Sequence, residues 1–225
     1  MTNFEEKIKY KFKDRSLLEL ALTHSSYAKE NGLSRNKCNE RLEFLGDAFF
    51  DAIIGEELYK IRPNDKEGVL SKTRADVVCE TSLAKVARSL GMGDLIKMGK
   101  GEIVTKGNEK DSILADAVEA VIGAIYLESG YDTVKGVVLD LFKDLIVEAI
   151  SGKLNVDYKS AFQEMMQKKG TVSIKYSLLK TDGPDHQKTF FVELTVDGEK
   201  FGFGVGKSKK EAEQAAAKSA LVGDV

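Results

Sequence analysis

The run from Ile113 to Leu127 restricts the fold more than any other stretch of the chain. Apart from Asp116 and Glu119 it is built of Ile, Leu, Val, Ala, one Gly and one Tyr. A segment that is apolar on nearly every side belongs at the centre of a helical core, and it falls short of the ~20 residues that a membrane span needs. Asp116 and Glu119 stand at i and i+3, so they share one face. A buried, unpaired carboxylate is costly, or it takes up a proton. No Lys or Arg lies within the run. Positive charge must therefore arrive from elsewhere, either as a distant Arg in a structural salt bridge or as a divalent cation between acidic helices.

A second acidic stretch could face the first: Asn39-Glu40-Arg41-Leu42-Glu43-Phe44-Leu45-Gly46-Asp47. At ~100° per residue, Glu40, Glu43 and Asp47 fall within about a 60° arc of a helix. One reading is a solvated acidic face, although Leu42, Phe44, Leu45, Phe49 and Phe50 leave little of this helix polar. Asp51, one turn further on, reads as a bystander. If the two helices pack face to face, Glu43, Asp47, Asp116 and Glu119 supply the oxygen donors that a hard cation such as Mg²⁺ prefers. The matching chemistry is metal-assisted phosphoryl transfer. Glu67 could add an acid, but alone it reads as an exposed first-turn glutamate. His24 reads as a packing histidine rather than a base, because the only other histidine is His186.

Helical spacing dominates residues 1–151, punctuated by Gly32, Pro63-Asn64, Gly91, Gly99 to Gly101, Gly107 and Gly130. An all-α domain is expected there. Residues 152–155 form a short polar linker. From 156 to 225 the pattern changes. Asp157 is a candidate N-cap for a helix from Tyr158 to Lys169, with Gly170 just beyond its end. Val172, Ile174, Tyr176 and Leu178 alternate with polar neighbours, as do Phe190, Val192, Leu194 and Val196. Asp197-Gly198 signals a hairpin, and Phe201, Phe203 and Val205 continue the alternation into a third strand. A last helix is expected from about Lys209 to Leu221. The chain is therefore multidomain, with an all-α domain followed by a small α-β-β-β-α (α+β) domain.

Charge is nearly balanced, with 34 Lys plus Arg against 36 Asp plus Glu. Binding to a polyanion through bulk charge is excluded, so any such binding needs a local patch. One is present at Lys207-Ser208-Lys209-Lys210-Glu211. Ser208 with Glu211 is a capping box. Lysines in a first turn oppose the helix dipole unless a phosphate sits there, although a solvated charge run remains the alternative. His186, at the tip of the loop between the first two strands, and Gln163 on the first helix offer two further polar points. Three points on one face, with Lys209 and Lys210 as the third, could follow double-stranded RNA by shape. Cys38 and Cys79 are too few for a disulfide framework or a four-cysteine zinc site and read as reduced thiols. The charged N-terminus has no apolar stretch of the kind a signal peptide needs. A cytoplasmic protein with no membrane partner is expected.

Asn39-Glu-Arg-Leu-Glu-Phe-Leu-Gly-Asp47 resembles the signature of the ribonuclease III family, and Glu67-Gly68 and Asp116-Ala-Val-Glu119 fall where that family places its other acids. Gly183-Pro-Asp-His186 and Lys209-Lys-Glu-Ala-Glu-Gln-Ala-Ala216 resemble a double-stranded RNA-binding domain. The resemblance implies a homodimeric endonuclease that hydrolyses both strands of double-stranded RNA with Mg²⁺, or Mn²⁺ in its place. The products implied are 5′-phosphates and short 3′ overhangs, and the substrates implied are ribosomal RNA precursors and structured messenger RNAs. It makes Glu43, Asp116 and Glu119 metal ligands, Asp47 and Glu119 the catalytic residues, and Glu40 and Glu67 acids lining the cleft. Lys9 and the bulky Phe49-Phe50-Asp51 depart from the family pattern away from these positions. Two other readings compete: an RNA-binding protein with an inactive nuclease-like scaffold, and a helical phosphohydrolase of small nucleotides. The first would be expected to lack one or more of the four acids, and the second leaves the C-terminal domain unexplained.

Overall fold

The computed structural model describes residues 3–152, 154, 158–168, 170–184 and 188–223. The chain separates into two compact units, residues 1–155 and 156–225.

The first unit is helical. Its helices are α1 (Asn3–Lys7), α2 (Arg15–Ala21), α3 (Ser25–Glu30), α4 (Glu40–Ile61), α5 (Glu67–Val78), α6 (Glu80–Leu90), α7 (Lys100–Val104), α8 (Asp111–Leu141) and α9 (Lys143–Ile150). The apolar run from Ile113 lies in α8, where Ile113, Leu114, Ala117, Val118, Ala120, Val121, Ile122, Ala124 and Ile125 are all buried. The α4 helix lies along it and buries Leu42, Phe50, Ile53, Ile54 and Leu58, and α6 packs on it as well. Burial of this kind is the main favourable term in folding. Gly130 interrupts α8 with φ 76° and ψ −177°, a conformation open to glycine and outside any helix. Just before the break, Glu128 accepts backbone N–H bonds from Lys13 and Asp14 and a hydrogen bond from the Tyr10 hydroxyl. Glu128 thereby ties the N-terminal segment to α8. The fully buried Glu5 accepts from Phe12 N at 3.0 Å and pairs with Arg15 at 3.0 Å.

The second unit has the order α10 (Tyr158–Gln167), β1 (Ile174–Asp182), β2 (Thr189–Val196), β3 (Glu199–Gly206) and α11 (Lys209–Val222). The sheet is antiparallel in the order β1-β2-β3. Asp197 and Gly198 both have positive φ (51° and 91°), the conformation of the tight hairpin turn that their pairing signals. Phe162, Met166, Val192, Leu194, Val196, Ala212, Ala216 and Ala217 form the core between the helices and one sheet face. The α10 helix ends at Gln167 and Lys168 is already in a turn, while Lys169, the expected helix end, lies outside the described residues. The candidate N-cap Asp157 lies outside the described residues.

The third strand corrects the expected pattern. Phe201 faces inward and packs near Phe162, but the inward positions after it are Gly202, Gly204 and Gly206, all buried. A Cβ at Gly204 would lie 2.1 Å from the Ala212 carbonyl oxygen, and one at Gly202 would lie 2.3 Å from that of Ala216. The sheet thus meets the backbone of α11 directly, and Phe203 and Val205 are left facing solvent.

Candidate active site and RNA-binding face

Two glycines set the geometry of the acidic site. A Cβ at Gly46 of α4 would lie 1.7 Å from the Glu119 carbonyl oxygen, and one at Gly123 of α8 would lie 2.3 Å from that of Leu42. Side chains do not approach backbone that closely, so α4 and α8 touch main chain to main chain. That contact brings Glu43 on α4 against Asp116 and Glu119 on α8. One carboxylate oxygen from each of the three lies within 4.8 Å of those of the other two.

The three acids are half-buried and repel one another. Burial, joined by the charges of Asp47, Asp116 and Glu43, pushes Glu119 up to about 8. Burial and then Asp116, Glu40 and Asp47 also raise Glu43. Asp116 is raised by burial and by Glu80, with His24 acting in the opposite sense. Among the described residues no Lys or Arg pairs with Glu43, Asp116 or Glu119, so the salt-bridge reading is not the one the structure shows. A closely spaced set of carboxylate oxygens without a counter-charge fits a hard divalent cation. Glu43, Asp116 and Glu119 are the residues that would hold it.

The remaining acids take different places. Asp47 is exposed and outside the trio, yet after burial it is the largest influence on Glu119. Glu40 is exposed at the start of α4 and acts on Glu43. Glu67 is exposed at the start of α5, where it accepts from Ser71 Oγ at 2.7 Å, and is not one of the three clustered acids. Asp51 pairs with Arg74 at 3.2 Å. His24 caps α3, with Nδ1 accepting from Ser26 N at 3.3 Å, a structural use of the ring. Sequence reasoning missed Gly46 and Gly123 as determinants of the site, and Glu80 as a contributor to its field. The available signal was a glycine inside each of two helical patterns, which usually has a packing reason.

In the second unit Ser208 Oγ accepts from Glu211 N at 3.1 Å, fixing the start of α11. The reciprocal bond differs from a standard capping box: the Glu211 carboxylate accepts from Lys207 N at 2.8 Å. Lys209 and Lys210 are exposed in the first turn. Gln163 is exposed on α10, which packs on α11 through the Lys159–Glu213 ion pair at 2.6 Å. His186 lies outside the described residues.

Residues 14–145 match the Ribonuclease-III-like family, and residues 158–222 match the Double-stranded RNA binding motif. The class is therefore a helical nuclease domain followed by a double-stranded RNA-binding domain. Ribonuclease 3 of Caldanaerobacter subterraneus subsp. tengcongensis is 50% identical over 221 residues, covering 98% of this chain and 96% of that protein. Ribonuclease 3 of Clostridium tetani is 46% identical over 221 residues, covering 98% and 93%. The nuclease domain of the Campylobacter jejuni ribonuclease III, in a structure whose subject is flexibility in the region involved in its dimer formation, superposes with a TM-score of 0.59 at 47% identity. That match covers 63% of this chain and 95% of the other. The chain belongs to the ribonuclease III family and is a hydrolase, an endoribonuclease for double-stranded RNA. Among the described residues no helix is long and apolar enough to cross a membrane.

Proposed function

We propose that this enzyme cuts both strands of double-stranded RNA in a Mg²⁺-dependent reaction, with Mn²⁺ able to substitute, leaving 5′-phosphates and short 3′ overhangs. The observation that carries the reading is the trio Glu43, Asp116 and Glu119, half-buried and without a cation partner among the described residues. A bound divalent ion supplies an activated water and neutralises charge on the phosphate under attack. Glu43, Asp116 and Glu119 hold that ion. Asp47, exposed at the edge of the trio, and Glu119 are the carboxylates on which catalysis depends most. Glu40 and Glu67 line the approach to the site.

Residues 1–151 are the nuclease domain in this proposal, 152–155 the linker and 156–225 the RNA-binding domain. Gln163, His186, Lys209 and Lys210 contact the duplex. The nuclease domain works as a homodimer. Phe44 is 78% exposed and Leu127 56% exposed, and with Leu17, Leu20 and Leu45 they border a largely apolar hollow of about 550 Å³. An exposed apolar patch of this kind marks an interaction surface, and a second copy is the partner it takes. The enzyme acts in the cytoplasm on ribosomal RNA precursors and structured messenger RNAs.

The test is a long RNA duplex incubated with the protein, with and without Mg²⁺, beside a Glu119→Ala variant. Metal-dependent cutting to short duplexes is expected, lost in the variant while binding persists. Cleavage that survives the substitution overturns the site assignment. Sedimentation of the wild type as a monomer overturns the dimer.

A further inference from the structure

The solvent face of the β-sheet is unusual for a small soluble domain. Residues directly opposite in antiparallel strands point the same way, so the register defines this face row by row. Lys180, Phe191 and Val205 form one row, Ser177, Glu193 and Phe203 the next, and Lys175 with Thr195 a third, which Lys200 joins from β3. The opposite face carries the core and the glycines that meet α11. On the solvent face Phe203 is 49% and Val205 43% exposed. The Phe191 and Phe203 rings lie 6.3 Å apart, centroid to centroid. Lys180 Nζ covers Phe191 at 4.4 Å from the ring centroid, which leaves Phe203 as the open ring. Glu193, the acid of the middle row, is held by Lys200 at 2.7 Å. Asp182, the other acid, sits opposite Thr189 at the end of the sheet.

One exposed ring on a face that also carries lysines matches one chemistry closely: an unpaired nucleotide, its base stacked on an aromatic face and its phosphates near ammonium groups. A duplex hides its base faces, so this surface does not suit the ligand of α10 and α11. An apolar protein partner would bury Lys175 and Lys180, which have no carboxylate partner among the described residues. We propose that the solvent face of β1-β2-β3 is a second RNA-binding surface, which takes single-stranded RNA flanking a duplex by stacking a base on Phe203. Substrate duplexes with unpaired tails would then engage two faces of one domain. The inference rests on the chain being a double-stranded RNA enzyme, but not on which residues grip the duplex.

The test measures binding of the full-length protein, in EDTA so that nothing is cut, to a blunt RNA duplex and to the same duplex with a single-stranded oligoadenylate tail. The tailed RNA is expected to bind roughly tenfold more tightly, the size of one stacked base. Phe203→Ala and Phe203→Leu should remove that advantage and leave blunt-duplex affinity unchanged, while Phe203→Trp keeps it. A Lys209→Ala, Lys210→Ala double variant should weaken both RNAs and preserve their ratio, so a failed duplex assignment shows separately from a failed tail assignment. The proposal is overturned if the tail gives the wild type no advantage, or if Phe203→Leu keeps it. It is also overturned if Phe203→Ala weakens both RNAs equally, or lowers the assembly state while the tail advantage persists.

Discussion

Replacing Glu119 with Gln tests whether the acidic trio is a strained cation site. Burial and three neighbouring acids raise this carboxyl from 4.5 to about 8 in the folded protein. The folded state therefore holds the proton more tightly than the unfolded chain does. The stabilisation from that proton is complete below about pH 4.5 and is lost as pH rises through about 8. At about 1.4 kcal/mol per pH unit, the interval from the unfolded value to pH 7 corresponds to at most about 3.5 kcal/mol lost from the metal-free protein. Glutamine keeps the shape without the titration. For a domain of this size, that predicts a metal-free Tm roughly 5–10 °C above wild type at neutral pH. The gap should widen toward pH 8 and nearly vanish at pH 5. The assay is thermal unfolding followed by circular dichroism, after EDTA treatment, at pH 5, 7 and 8, then repeated with Mg²⁺. Mg²⁺ should raise the wild-type Tm by binding the folded state and do little for the variant. Equal pH slopes in the two proteins, or a variant less stable than wild type at pH 8, would refute the reasoning.

Gly123→Ala should lower stability by ~1–3 kcal/mol or more, because its methyl meets the Leu42 carbonyl and the helices must part. Urea unfolding reads this, and cleavage should fall with it because the acids separate. The Lys209→Ala, Lys210→Ala variant should weaken duplex binding and make its salt dependence shallower. The log–log slope should fall by roughly 0.9 for each phosphate the protein no longer neutralises, read from titrations at several salt concentrations. Ser208→Ala should cost ~1 kcal/mol through loss of the α11 cap, measured by chemical unfolding of the intact protein.

What could be read from the residues, and what could not, follows from what a side-chain pattern records. The apolar run holding Asp116 and Glu119 announced a core helix with two misplaced charges, and that is the environment they occupy. The arc of Glu40, Glu43 and Asp47 gave the facing helix but not the selection within it, because only Glu43 reaches the α8 acids. Periodicity cannot distinguish a carboxylate one turn further along a helix from one aimed inward. Glu80 was invisible for another reason: it enters the site's field from α6, a helix with no sequence neighbour in the motif. In β3 the apolar alternation pointed to the wrong face. Glycine scores as no side chain at all, yet Gly202, Gly204 and Gly206 are the residues that meet α11, and the aromatic neighbour between the first two is the one turned outward.

The paired contact of Gly46 and Gly123 also bears on how such a chain can drift. Each glycine abuts the main chain of the other helix, so neither can be exchanged without moving the scaffold, whatever becomes of the reaction. The acids stand under the opposite pressure, since in the absence of a cation each one removed relieves the folded state. A lineage released from catalysis would shed Glu119 and its companions readily and keep its glycines for as long as it folds. Glycines at these two positions therefore record shared architecture, and only the carboxylates beside them record a working enzyme.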